Sequence, residues 1–190
     1  LSNYQSVWSL ECPGRSPLQI CSYPGVFADG TLDPGTELLL GQLDQLINSA
    51  AGRALDLGCG AGVIGASLLR SFPDWSADMV DSNALAITAT RETLARNKLD
   101  AHVFASDGLS AVNARYDLII SNPPFHAGHR ERADLGAGIF DQVGNFLSPR
   151  GQLVLVANRH LPWSRWMSST FSSHRVLAAN NKYHVLLAGA

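Results

Sequence analysis

The sequence predicts an α/β domain in which helices cover both faces of a mostly parallel, seven-stranded, doubly wound sheet that ends in an antiparallel hairpin. Short apolar segments alternate with helical stretches along most of the chain, as strands and crossover helices do. The apolar run at residues 118–120 is typical of a strand buried on both faces. Two strand-like segments near the end flank Asn180-Asn181 at a spacing that fits a hairpin.

The first 36 residues are expected to form an N-terminal arm that leads into the domain proper, residues 37–190. Their turn signals favour an extended or loose edge structure: Pro13-Gly14, Pro24-Gly25, Asp29-Gly30 and Pro34-Gly35. From Thr36, leucines recur at helical spacing, which predicts a first helix that ends before residues 48–52.

The remaining elements follow from the alternation of apolar runs, helical stretches and glycines. The seven predicted strands cover residues 53–57, 75–80, 101–105, 116–121, 152–157, 175–179 and 183–188. Helices are predicted over residues 63–70, 84–97, about 138–147 and 163–171. Ser82 is predicted to cap the helix over 84–97, because its hydroxyl can accept a bond from an unpaired backbone N–H. Ligands of such sheets bind beyond the carboxyl ends of the strands, so the residues there become site candidates.

Composition excludes several classes of protein. The 190 residues are 46% hydrophobic and 16% charged, which suits one folded domain and excludes a disordered segment. The net charge of −2 does not suit a strongly cationic nucleic-acid module. Residues 1–90 nevertheless carry a net −6, while residues 91–190 carry a net +4 and all six His. This asymmetry points to a polyanionic partner, and chance scatter of surface charge explains it equally well.

Cysteine usage and hydropathy bear on location. The three Cys residues show no ligand-like spacing, which predicts no disulfide framework and a cytoplasmic location. No run approaches the roughly 18 apolar residues of a membrane helix, and no signal-peptide pattern is present. No Cys, His and Asp cluster has metal-ligand spacing. We therefore expect neither a membrane partner nor a metal, and the start at Leu1 suggests a piece of a longer protein.

A glycine cluster follows the strand over 53–57. Gly58, Gly60 and Gly62 permit a tight turn in which a ligand can approach the backbone, and Asp56 precedes them. The helix start that follows offers free N–H groups to an anionic group. With Gly65, the cluster also satisfies the dinucleotide pattern G-x-G-x-x-G, so a nicotinamide or flavin enzyme and a purely structural turn stay open.

Two further acidic residues end neighbouring strands. Asp81 can accept bonds from the ribose hydroxyls of an adenosine, although a helix dipole also favours an acid there. Asp107 can accept a bond from an adenine amino group, although an Asp before Gly108 is also typical of a plain turn. A dinucleotide and S-adenosylmethionine both contain adenosine, so these two residues do not separate them.

The tetrapeptide Asn122-Pro123-Pro124-Phe125 separates them. The side-chain oxygen of Asn122 and the carbonyl of Pro123 can grip an exocyclic amino group and localise its lone pair for attack on a methyl group. Prolines fix the backbone and donate no N–H, so this turn is stiff and rich in acceptors. Phe125 can stack on a base rotated out of its helix. A rigid turn with Phe125 in the core is the structural alternative, and the glycine loop upstream favours the functional one.

Basic residues follow the tetrapeptide. His126 and His129 flank the predicted acceptor site, and Arg130 and Arg132 can contact phosphates. A second group of basic residues can extend this patch: Arg159, His160 and Arg165. A solvated helix start is an equal alternative.

These motifs together resemble class I S-adenosylmethionine-dependent methyltransferases that act on amino nitrogens. More closely, they resemble the catalytic C-terminal domain of the bacterial 16S rRNA guanine-N2 methyltransferases of the RsmC family. The matching segments are 56–62, 122–126, 24–27, 32–36, 38–40, 156–158 and Leu161-Pro162, within residues 23–187.

The resemblance implies a Rossmann-like fold, S-adenosylmethionine as cofactor, and guanine N2 in small-subunit rRNA or a ribosomal subunit as acceptor. Asp56, the glycines, Asp81, Asp107 and Asn122 would bind the cofactor. Asn122, Pro123 and Phe125 would be catalytic, and Phe125, His126 and Arg130 would contact the substrate. It also implies an N-terminal companion domain, which we expect to be absent from this chain. Three alternatives remain: another amino methyltransferase, on DNA adenine or protein glutamine; a non-catalytic RNA-binding domain of the same fold; and, more distantly, a nicotinamide oxidoreductase.

Overall fold

A computed structural model describes residues 4–27, 30–123 and 142–189. Its strands are β1 (Ser6–Leu10), β2 (Leu18–Ser22), β3 (Gly52–Leu57), β4 (Trp75–Asp81), β5 (His102–Ala105), β6 (Tyr116–Ser121), β7 (Leu147–Asn158), β8 (Ser173–Ala179) and β9 (Tyr183–Gly189). Its helices are α1 (Pro34–Leu40), α2 (Leu43–Leu46), α3 (Val63–Ser71), α4 (Ala84–Asn97) and α5 (Trp163–Thr170). None of the helices within these ranges is long and apolar enough to cross a membrane.

The main sheet has the strand order β5-β4-β3-β6-β7-β9-β8. Strands β3 to β7 are parallel, and β9 runs antiparallel between β7 and β8. The predicted mostly parallel sheet with its terminal hairpin is therefore confirmed. Because the chain moves outwards from β3 through β4 and β5 and then returns to β6, the order reverses between β3 and β6. Ligands of doubly wound sheets bind at this reversal point.

Helices and loops cover both faces of this sheet, and the alternation along its strands separates two apolar layers. In β7, Val154 and Val156 pack into one layer, while Leu153 and Leu155 pack into the other. The first layer includes α1, α3, α4 and β2. The second is closed by Trp163 and Met167 of α5 among others. This period of two is what a sheet buried on both faces requires.

The N-terminal 36 residues hold a packed hairpin, not the loose edge structure that we expected. Strands β1 and β2 pair antiparallel, and Leu18 and Ile20 are fully buried. The backbone of Gln19 exchanges two hydrogen bonds with the Asn97 side chain on α4, at 2.9 and 2.8 Å. The hairpin is therefore fixed to the helix that follows β4. A domain boundary at residues 36 and 37 stays a prediction.

Three other details differ from expectation. The cap of α4 is Asn83 and not Ser82, because the Asn83 side chain accepts the Leu85 N–H at 2.9 Å. The first helix begins at Pro34, and Gly41 separates it from the short α2. Of the helix predicted over 138–147, residues 138–141 lie outside the described residues and residues 142 and 143 are helical as predicted, but Gly144–Phe146 form a 3₁₀ turn and Leu147 opens β7.

Candidate active site at the carboxyl ends of β3, β4 and β6

The glycine loop joins β3 to α3 and is anchored to the neighbouring strand. The backbone N–H groups of Gly58 and Cys59 both donate to the Val80 carbonyl, at 2.8 and 2.9 Å. Gly62 precedes the first turn of α3 with φ +80°, where a side chain would be strained and would also crowd Thr90 at 3.2 Å. The loop thus keeps a fixed shape at the point where the strand order reverses.

Open space lies beside this loop. Gly58 and Gly60 also have positive φ, and apart from each glycine and its two chain neighbours, no described residue has an atom within 4 Å of where a Cβ would stand. A ligand can therefore approach the backbone closely, as the sequence predicted for these glycines.

Asp56 is almost completely buried at 1% exposure. Its Oδ2 accepts the Gly65 N–H at 2.8 Å, while its Oδ1 has no hydrogen-bond partner among the described residues. Burial raises the pKa of Asp56 to about 7. The hydrogen bond from the Gly65 N–H opposes this rise, and the nearby Asp81 charge adds to it. A cation brought next to Oδ1 would favour the ionised form.

Asp81 ends β4 and braces the glycine loop. Its Oδ2 accepts the Gly60 N–H at 3.0 Å, and its Oδ1 accepts the Asn83 N–H at 2.8 Å. Each carboxylate oxygen has two lone pairs, so acceptor capacity remains for a ligand. The geometry therefore suits the predicted contact with ribose hydroxyls, which stays a prediction.

Asp107 lies two residues beyond β5, in a turn whose Ser106 N–H donates to the Asp81 carbonyl at 3.0 Å. Its side chain is exposed. The turn brings Asp107 to the same edge of the sheet as Asp81. Its contact with adenine stays a prediction.

Two threonines on α4 donate hydrogen bonds to backbone carbonyls of the glycine loop, and neither was predicted from the sequence. The buried hydroxyl of Thr90 donates to the Gly60 carbonyl at 2.9 Å, and that of Thr93 donates to the Ala61 carbonyl at 2.9 Å. The available signal in the sequence for this contact was the presence of threonines on an otherwise apolar face of the helix. Cys59 is buried in this contact, and burial raises the pKa of its thiol, which fits a packing role.

Asn122 follows β6, and its amide group has a defined orientation. Its Nδ2 donates to Asp33 Oδ2 and to Thr36 Oγ1, both at 2.9 Å. Both amide hydrogens are thereby used, which leaves Oδ1 as the group available to a ligand. An acceptor at this position is what the tetrapeptide predicted.

Two clefts meet at Asn122. The glycine-loop cleft, about 370 Å³, includes Thr31, Gly58 and Gly60 in its wall. The β7–β9 cleft, about 380 Å³, includes Pro123, Asn158, Lys182 and Tyr183. Asn122, Phe27 and Asp33 line both clefts. Asn122 therefore stands where a ligand in one cleft would meet a ligand in the other.

Several predicted site residues lie outside the described residues: Pro124, Phe125, His126, His129, Arg130 and Arg132. Their roles stay predictions. In the part of the chain that the structure describes, no group of three or more His, Cys, Asp or Glu residues could hold a metal ion.

Exposed basic residues lie at the rim of the β7–β9 cleft. Lys182 lines the cleft, with its ammonium group 5.0 Å from the centre of the Tyr183 ring. The Arg159 N–H donates to the Lys182 carbonyl, and its guanidinium donates to the Asn180 carbonyl at 3.2 Å. Lys182, which was not predicted from the sequence, therefore lies beside Arg159, and the extension of the basic patch by Arg159, His160 and Arg165 stays a prediction.

Residues 17–187 match the family model described as the methyltransferase small domain. Among curated proteins, the ribosomal RNA small subunit methyltransferase C of Shewanella pealeana is 43% identical over 185 residues, which are 97% of this chain and 53% of that protein. The protein of the same description from Pasteurella multocida is 45% identical over 173 residues, 91% of this chain and 52% of that protein.

Solved structures of methyltransferases also resemble this chain. A T. thermophilus protein, described as a 16S rRNA N2 G1207 methyltransferase (RsmC) in complex with AdoMet and guanosine, aligns over 98% of this chain and 50% of its own. The TM-score is 0.86 at 27% identity. A methyltransferase from Pyrococcus furiosus shares the fold at a TM-score of 0.71 and 16% identity, over 90% of this chain and 88% of its own.

The chain spans about half the length of the curated relatives that it matches. The family model, by contrast, covers nearly the whole chain, including the glycine loop, Asp81 and Asn122. The chain therefore belongs to the methyltransferase small domain family.

Proposed function

We propose that this chain is a catalytic domain that transfers a methyl group from S-adenosylmethionine to the N2 amino group of a guanine in small-subunit rRNA, in the cytoplasm. The observation that carries the proposal is the orientation of Asn122. Its Oδ1 is the free end of an amide whose two N–H groups are both bound, at the junction of two clefts. The substrate class, small-subunit rRNA, comes from the relatives described as ribosomal RNA small subunit methyltransferase C and from the T. thermophilus RsmC structure.

The glycine-loop cleft fits S-adenosylmethionine. Gly58 and Gly60 leave open space beside the backbone, so the methionine part can lie against the loop. The unpartnered, buried Oδ1 of Asp56 is an acceptor that suits an ammonium group. Asp81 and Asp107, at the next two strand ends, suit ribose hydroxyls and adenine. When bound, this cofactor supplies a sulfonium methyl group as the electrophile.

The β7–β9 cleft suits a planar base. Asn122 Oδ1 and the Pro123 carbonyl would accept the N–H bonds of the guanine amino group and hold its lone pair towards the glycine-loop cleft. Phe125 would stack on the base, with His126 and Arg130 beside it. The positive charge that develops on the nitrogen is relieved by loss of a proton to water. Positioning therefore supplies most of the catalysis, and a strong general base is not required.

The rim of the β7–β9 cleft suits RNA phosphates. Arg159 and Lys182 are exposed cations joined through a backbone hydrogen bond, so they stand at one place on the surface. Phosphate contacts position a nucleic acid and carry no base information. The base specificity would then come from the cleft itself.

The experiment that tests the proposal measures transfer of a labelled methyl group from S-adenosylmethionine to four acceptors: small ribosomal subunits, naked 16S rRNA, DNA and protein. Nucleosides from the labelled product are separated and identified by mass spectrometry. We expect label on an rRNA acceptor, where it is recovered as N2-methylguanosine. Label on DNA adenine or protein glutamine would contradict the proposal.

Calorimetry gives a second readout that does not depend on the acceptor. We expect S-adenosylhomocysteine to bind and NAD not to bind. Binding of NAD alone would overturn the assignment of the glycine-loop cleft. Binding of S-adenosylhomocysteine without transfer to any acceptor would favour a non-catalytic domain of the same fold.

A further inference from the structure

Asp33 lies in the segment before α1 and accepts a hydrogen bond from Asn122, which follows β6 and lies 89 positions later in the sequence. Its Oδ2 accepts the N–H groups of Gly35 at 2.9 Å and Thr36 at 2.8 Å, which caps α1. The same oxygen accepts Asn122 Nδ2 at 2.9 Å. The buried Thr36 adds its hydroxyl as the second acceptor for that nitrogen, also at 2.9 Å.

The geometry points to Asp33 as a positioning residue for methyl transfer: with Thr36, it fixes the Asn122 amide so that Oδ1, and not Nδ2, faces the acceptor amine. This inference rests on the proposed function, because it concerns the group that would grip the amine. Asp33 lines both clefts, but in this role it acts through the Asn122 amide and not on a reacting atom.

The chemistry of the two acceptors determines the amide orientation. A carboxylate can only accept hydrogen bonds, so the nitrogen end of the amide must face Asp33. The reversed amide would place Oδ1 against Asp33 Oδ2, two acceptors face to face, and would present N–H donors to the amine. An N–H donor cannot grip the N–H bonds of an amino group, so the reversed amide would be inactive.

Helix capping alone does not account for this contact. The two backbone N–H groups of Gly35 and Thr36 satisfy the cap, and Ser, Thr or Asn would serve at such a position. The third bond, to Asn122, adds nothing to the cap. A charged acceptor also makes the bond stronger and polarises the amide, so that Oδ1 becomes a better acceptor.

Three variants separate positioning from capping. Asp33→Asn keeps a capping side chain and removes the charge. Thr36→Val keeps the Asp33 cap and removes the second acceptor with little change in shape. Glu37→Gln is the matched control, because it removes a carboxylate from the exposed side of the first turn of α1 and does not line either cleft.

For Asp33→Asn and Thr36→Val, we expect kcat to fall by about tenfold or more. KM for S-adenosylmethionine should stay within about threefold and the Tm should stay near that of Glu37→Gln. Equal kcat in Asp33→Asn, Thr36→Val and Glu37→Gln would overturn the inference. If Asp33→Asn does not fold, Thr36→Val carries the test alone, because its cap is intact.

Hydrogen exchange of the Asn122 side-chain amide, measured by nuclear magnetic resonance, tests this inference separately from the proposed function. The side-chain amide signals of Asn122 are identified by their loss in Asn122→Ala. We expect slow hydrogen exchange for both protons in the unaltered chain, and faster exchange in Thr36→Val and Asp33→Asn but not in Glu37→Gln. Unchanged exchange in all three variants would overturn the inference, even in an active enzyme. Failure of methyl transfer in the unaltered chain, with the expected exchange pattern, would instead overturn the proposed function.

Discussion

The Thr93 hydroxyl donates to the Ala61 carbonyl at 2.9 Å and accepts the Cys21 N–H at 3.0 Å. One buried side chain on α4 therefore joins the glycine loop to the N-terminal hairpin. Thr90, one turn earlier on the same face, holds the Gly60 carbonyl. The hairpin and α4 thus form the support on which the loop rests.

Replacement of Thr93 by Val should loosen this support. The variant keeps the shape of the side chain but removes the hydroxyl, so the Ala61 carbonyl and the Cys21 N–H lose their hydrogen-bond partner in the protein interior. We expect a loss of about 1–3 kcal/mol in the free energy of unfolding, measured with urea. Thr88→Val is the control, since the Thr88 hydroxyl donates to the Ala84 carbonyl on its own helix and is more exposed. Equal losses in the two variants would contradict the supporting role of Thr93.

The predicted site residues that the structure brings to one edge of the sheet carry their signal locally. Glycines directly after an apolar strand, an acid at the end of the next strand and Asn before Pro-Pro each combine residue type with position. The strand order then brings those positions to one edge of the sheet. For that reason the proximity of the glycine loop, Asp81 and Asn122 could be predicted from residue type and position alone, and their roles stay predictions.

The residues that were missed act through contacts between distant parts of the chain. Thr90, Thr93 and Asp33 have ordinary local roles, on a helix face or at a helix start, and their partners lie 30, 32 and 89 positions away. No local pattern indicates such partners. The β1–β2 hairpin was missed for a related reason, because its turn signals are visible in the sequence but the packing of β2 on α4 is not.

The buried Asp56 predicts a pH-dependent stability. Its pKa is about 7 in the folded chain against an ordinary value of 3.8, so the unfolded chain ionises first as the pH rises. The contribution of this group to stability is therefore complete below pH 3.8 and is lost as the pH rises towards 7. We expect the free energy of unfolding to fall more between about pH 4.5 and about pH 7.5 in the unaltered chain than in Asp56→Asn.

Asp74→Asn is the control for this measurement, because Asp74 is exposed in the turn before β4. It should follow the unaltered chain across the same pH range. If Asp56→Asn shows the same pH dependence as Asp74→Asn, Asp56 is ionised in the folded state and its pKa is not raised.

The cationic rim predicts a salt-dependent contact with RNA. Each phosphate that a cation neutralises adds about 0.7–0.9 to the slope of log affinity against log salt concentration. We expect Lys182→Gln to reduce that slope by about 1 in binding assays with 16S rRNA. Lys98→Gln, which removes an exposed charge at the end of α4, should leave the slope unchanged. A reduced slope in Lys98→Gln, or an unchanged slope in Lys182→Gln, would place the RNA elsewhere.

The central claim is that Asn122 Oδ1 grips the acceptor amine, and its most direct test is the single-turnover rate of methyl transfer to rRNA in Asn122→Ala. Asn113→Ala is the control, since Asn113 is an exposed asparagine in the connection before β6. We predict that the rate in Asn122→Ala falls by about 10²-fold or more. Affinity for S-adenosylhomocysteine should fall by no more than about tenfold, and Asn113→Ala should match the unaltered chain. A rate in Asn122→Ala within a few-fold of that in Asn113→Ala would contradict the claim.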